Sequence, residues 1–117
     1  MRTFFPRVLA AAACLLCAAA VALSAYASHG VQGDAQRRLA LAAAFAFVHG
    51  LAVLATASRT SFTALIGRTL LLAATALFSG SLAAAVFLQA GTALAPVGGA
   101  LLMLGWGILA VDFLKSP

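Results

Sequence analysis

Between Arg38 and Arg59 the chain carries no charged side chain through the whole of Leu39 to Ala57, LALAAAFAFVHGLAVLATA. The run is about 19 residues long, and the hydrocarbon core of a bilayer takes about 20 residues of helix. A segment this long and apolar, closed by arginine at both ends, is expected to span a membrane. Inside lipid a span must satisfy its own backbone hydrogen bonds, which makes it a helix. One titratable ring, His49, lies near its middle, eleven residues past Arg38 and so roughly 16 Å deep at a rise of 1.5 Å per residue.

Three further apolar runs accompany it: Val8 to Ser28, Thr69 to Ala90 and Val97 to Leu114. Only 8% of the residues are charged and 65% are hydrophobic, whereas a soluble domain has roughly 25% charged residues to coat its surface. The expected fold is all-α, an integral membrane antiparallel four-helix bundle. Residues 1–117 are read as a single transmembrane domain with spans at about 8–28, 39–57, 69–90 and 97–114.

The connections support that division. In HGVQGDAQRR (His29 to Arg38), Gly30 and Gly33 break the first helix and Asp34 is placed to cap the second. Ser58 to Arg68, SRTSFTALIGR, reads as a polar and basic connection, and Gly91 to Ala95 as a tight uncharged turn. Pro96 then suits the first turn of the last helix, where a missing N–H costs nothing. With four spans, Arg2, Arg7, Arg59, Arg68 and Lys115 share one side, against Arg37 and Arg38 on the other. The excess of Lys and Arg places both termini in the cytoplasm and the protein in the plasma or inner membrane of its cell. The first run has a second reading. Its basic start and Ala25-Tyr26-Ala27 imitate a secretory signal peptide with a cleavage site, and cleavage would leave three spans.

Small residues recur every four positions at Ala42, Ala46 and Gly50 and again at Ala76, Gly80 and Ala84, and Gly98 and Gly105 stand a heptad apart. Such ladders let helix backbones approach closely in lipid. They point to the lipid bilayer as surroundings and to a homo-oligomer or larger membrane complex as partner. The net charge of +5 is not a nucleic-acid footprint, because the basic residues sit singly or in pairs between spans. No nucleic-acid partner is expected. Cys14 and Cys17 have redox-like CxxC spacing, but hydrocarbon disfavours the thiolate such chemistry needs, so a packing role is expected.

His49 is the sharpest candidate for function, since ionisable groups inside spans are rare and often functional. The alternative is a neutral ring in the bundle interior, hydrogen-bonded to Ser79, Ser81 or a nearby carbonyl, that adds specificity to packing. His29 closes the first span at the interface, too far from mid-depth to share a haem iron with His49. Asp112 and Lys115 are placed to pair at the end of the last helix, three residues apart. Trp106 sits mid-span and is expected in the core. Asp34 and Asp112 fall on opposite membrane sides, and no nucleophile–base set, phosphate loop or Cys/His metal cluster is visible. No catalytic residue, metal or cofactor is therefore expected, and the chain is read as a non-enzymatic structural or accessory membrane subunit. A small transporter or channel component using His49 is one alternative, a redox or enzyme subunit another.

Four pieces, in order, resemble a family of small bacterial membrane proteins, domain of unknown function 423. SAYASHGV (Ser24 to Val31) is similar to its GAFGAHGL, and FVHGLAVL (Phe47 to Leu54) to its YHALALL. LFSGSL (Leu77 to Leu82) follows, and APVGGALLMLGW (Ala95 to Trp106) is similar to its TPIGG…GW. The resemblance implies four spans with no assigned activity and a first span that is retained. It makes His29, Gly30, His49, Ser79, Gly80, Ser81, Pro96, Gly98, Gly99, Gly105 and Trp106 the family-type positions. The chain departs from the pattern ahead of His49, where the family carries an acidic residue and a tyrosine–glutamine pair. Here the sequence is RRLALAAAFAF, so a role that needs a carboxylate beside the histidine has no residue to carry it.

Overall fold

The computed structural model describes residues 3–115. They form four helices: α1 Phe4–His29, α2 Gly33–Ala55, α3 Phe62–Phe87 and α4 Leu94–Lys115. All four are long and apolar enough to cross a membrane. The short connections 30–32, 56–61 and 88–93 turn each helix back along the previous one, in a body of 45 × 24 × 22 Å. α2 packs between α1 and α3, and α4 packs on α3. Among the described residues no Cα of α1 or of α2 comes within 8 Å of one in α4.

Alanine and glycine set these spacings. The buried stripe of α1 is Leu9, Ala13, Ala20 and Ala27. On α2 the ladder Ala42, Ala46 and Gly50 is buried, Gly50 against α1 and Ala42 in a cluster with Leu82 and Ala95. A Cβ on Gly50 would stand 2.6 Å from Cys17 Sγ and 3.0 Å from the Ala13 carbonyl. The α4 stripe is Ala95, Gly98, Leu102, Gly105, Leu109 and Asp112, a heptad register packed on α3. A Cβ on Gly98 would meet the Phe78 amide at 2.7 Å, and one on Gly105 the Leu71 side chain at 2.9 Å.

Several expectations need correcting. The α3 ladder Ala76, Gly80, Ala84 is not the packing seam. Ala76 and Gly80 are exposed, and the buried stripe is Ala64, Gly67, Arg68, Leu71, Ala74 and Thr75. Alanine is so frequent in this helix that small-residue spacing occurs on more than one face. The helix that carries the third span starts earlier than Thr69, because Ser61 caps it by accepting the Ala64 N–H at 3.1 Å. Arg68 therefore lies inside α3 rather than in a loop. The helix ends at Phe87, not Ala90, as Gln89 turns left-handed at φ 51°. Asp34 does not cap α2; Gln32 is the N-cap residue and Asp34, in the first turn, pairs with Arg37. Cys14 faces outward, and only Cys17 is partly covered.

Candidate functional site

His49 lies four residues C-terminal to Phe45 on α2, so its ring leans over the preceding turn. It is 7% exposed. Nδ1 stands 2.8 Å from the Phe45 carbonyl oxygen, and Nε2 accepts the indole N–H of Trp106 at 3.1 Å. A carbonyl can only accept and an indole N–H can only donate. The two partners together therefore define a neutral ring with its proton on Nδ1. The ring lies in an aromatic line across three helices. Phe78 of α3 packs on Phe45 at 4.4 Å between centroids, Phe45 on His49 at 5.5 Å, and His49 on Trp106 of α4 at 5.7 Å. With the α2 and α4 backbones apart, His49 and Trp106 reach across the gap between them.

The expected serine partners lie elsewhere. Ser79 is buried and donates to the Ala42 carbonyl at 2.8 Å, pinning α3 to α2. Ser81 is buried with no hydrogen-bond partner, as is the Thr75 hydroxyl. Trp106 is not a core residue: it is 43% exposed, with its indole nitrogen turned inward. That orientation suits a side chain with one polar edge and a large apolar body. His29 is the exposed last residue of α1, and Gly30 caps that helix by donating to the Tyr26 carbonyl at 2.7 Å. Gly98 and Gly105 carry the α3–α4 contact, whereas an added Cβ on Gly80 or Gly99 would meet nothing within 4 Å. His49 and Trp106 are thus brought together, and Ser79 and Ser81 are bonded to neither.

A second polar cluster forms where the 56–61 connection meets the end of α4. Arg59 Nε donates to Asp112 Oδ2 at 2.7 Å and its Nη2 to the Asp112 carbonyl at 3.3 Å. The Ser61 hydroxyl donates to Asp112 Oδ1. Arg59 also lies 3.8 Å over the Phe113 ring, and the Asp112 side chain is 3% exposed. Beneath this connection Arg68, fully buried, donates from Nη1 to the Arg59 carbonyl at 3.4 Å. The expected Asp112–Lys115 pair is replaced by Asp112–Arg59, and Lys115 Nζ is 3.3 Å from Thr63 Oγ1. Residues three apart on a helix lie on nearby faces, but Asp112 continues the buried stripe and Lys115 is exposed.

Sequence reading missed this cluster, although a signal was present. Asp112 falls on the register of Ala95, Gly98, Leu102, Gly105 and Leu109, and Arg68 falls between Ala64 and Leu71 on the buried face of α3. A charge on a buried stripe needs a partner. Comparison with curated proteins and with solved structures gives no match. A family model described as "Protein of unknown function (DUF423)" matches residues 23–99, which covers the end of α1, all of α2 and α3, the 88–93 turn and the start of α4. The aligned stretch includes His29, His49 and the Ser79–Ser81 segment, and the chain belongs to the DUF423 family.

Proposed function

We propose that the protein is a non-enzymatic structural or accessory subunit of a membrane assembly, seated in the cell's inner membrane with both termini in the cytoplasm. The observation that carries this reading is the occupancy of His49: both nitrogens are engaged, one by a carbonyl and one by an indole N–H. A proton relay or a metal ligand needs a free lone pair, which this ring offers only after losing Trp106. The ring instead ties α2 to α4, as a specificity element would. The topology rests on the Lys and Arg excess at the N-terminus, the α2–α3 connection and the C-terminus.

Native-size analysis and identification of co-purifying proteins in mild detergent test the assembly role. The expected result is a particle larger than one chain, made of further copies or a stable partner. A strictly monomeric particle with nothing co-purifying would overturn it. Proton flux in liposomes separates it from a transporter: no flux above empty vesicles is expected, and flux abolished by His49→Gln would refute the reading. A C-terminal reporter active outside the cytoplasm would overturn the topology.

A further inference from the structure

At the α2–α3 connection Arg59 and Ser61 hold the Asp112 carboxylate, and Arg68 lies beneath them with Nη1 on the Arg59 carbonyl. Arg68 is 0% exposed, and its Nε and Nη2 have no hydrogen-bond partner. These two nitrogens form one edge of the guanidinium. Their N–H bonds run parallel, the fork that binds two oxygens of a phosphate or carboxylate at once. The third nitrogen, Nη1, is on the Arg59 carbonyl, which fixes the group and leaves that fork open. A buried, unpaired guanidinium is costly in hydrocarbon.

The geometry points to a binding site for a phosphate group on the Nε–Nη2 edge of Arg68, a site distinct from His49 and independent of the role proposed above. The depth suits a membrane phosphate. α3 has 26 residues, about 39 Å at 1.5 Å per residue, against a hydrocarbon core of about 30 Å. Placed symmetrically, each end emerges by about 4–5 Å. Arg68, the seventh residue, then has its backbone only about 4–5 Å below the boundary, within the reach of an arginine side chain extending toward the headgroups. The non-helical connection 56–61 supplies the carbonyl and hydroxyl that close over this end. Because the fork itself is fully buried, binding requires this connection to lift. The same fork accepts a lipid headgroup phosphate or free phosphate.

The full-length protein in a neutral maltoside detergent is titrated with phosphatidylglycerol and, separately, with inorganic phosphate. Sodium chloride at matched ionic strength is the control, and bound mass is read by native mass spectrometry. One saturable equivalent is expected. Uptake of phosphatidylglycerol alone identifies the headgroup, and equal uptake of inorganic phosphate identifies the free anion. Arg68→Lys keeps the charge but loses the fork, and should weaken uptake by at least about tenfold. Arg37→Gln, at the other end of the bundle, should leave it unchanged. Absence of a saturable equivalent with either probe, or uptake unaltered in Arg68→Lys, overturns the site. If Arg68→Lys does not fold, the wild-type melt carries the test: saturating phosphatidylglycerol or inorganic phosphate should raise it above matched sodium chloride, and a melt raised by neither overturns the site.

Discussion

At the scale of single residues, the interior hydroxyls and His49 divide by whether they have a partner. His49→Gln keeps a donor and an acceptor and should melt close to the wild type in detergent. His49→Leu leaves the Trp106 indole without its acceptor and should lose about 1 kcal/mol, the scale of side-chain hydrogen bonds between membrane helices. Trp106→Phe removes the same bond from the other end. The double variant should therefore fall short of the sum of the two single losses, and strict additivity would show that the bond contributes nothing. The hydroxyls give the opposite pair of outcomes. Ser79→Ala deletes a bond to Ala42 and should destabilise by about 0.5–1.5 kcal/mol. Thr75→Val replaces a buried hydroxyl that has no partner with a methyl of the same shape, and should be neutral or stabilising. Thermal melts of all six variants check both sets.

At the scale of helices, the α3–α4 seam depends on close backbone approach. Gly98→Ala would set a methyl 2.7 Å from the Phe78 amide and 2.9 Å from its Cα, and backbone cannot yield as a flexible side chain can. The helices must part, at about 1–3 kcal/mol. Gly99→Ala, one residue on, meets open space and should change the melt by no more than about 0.5 kcal/mol. The contrast between neighbours, read in one series of melts, separates packing from intrinsic helix preference, which is the same for both. Sequence spacing made the α2 seam and the α4 glycines legible, because there small residues sit among larger ones. It misled on α3, where alanine recurs on several faces and the ladder through Gly80 points outward. The ends of α3 were hidden for another reason. Arg68 interrupts the hydropathy and so imitates a boundary, but the helix starts where Ser61 caps it. The His49–Trp106 bond joins residues 57 apart, and the Arg59–Asp112 bond residues 53 apart. No local pattern encodes such a pairing until the helices have been placed.

At the scale of the whole molecule, α4 packs closely on α3 alone: among the described residues no Cα of α1 or α2 comes within 8 Å of one in α4. Side-chain ties join it to α2 and to the α2–α3 connection: His49–Trp106 near mid-depth, and Arg59 with Ser61 on Asp112 at its C-terminal end. The second fastens the α2–α3 connection to α4, so it fixes the angle of the last helix as well as the fold of a loop. Removing one member of a buried pair leaves the other charge uncompensated. Asp112→Asn removes the carboxylate that Arg59 and Ser61 hold, and should lower the melt by more than His49→Leu does. Arg59→Gln should lower it too. The exchanged pair Arg59→Asp with Asp112→Arg should recover part of the loss, because the attraction is restored while the Ser61 bond is rearranged. Lys115→Ala is the control: its side chain is exposed and reaches only Thr63, so its melt should stay within about 0.5 kcal/mol of the wild type. If Lys115→Ala lowered the melt as far as Arg59→Gln, the carboxylate would be held along its own helix. The tie between the α2–α3 connection and α4 would then have to be abandoned.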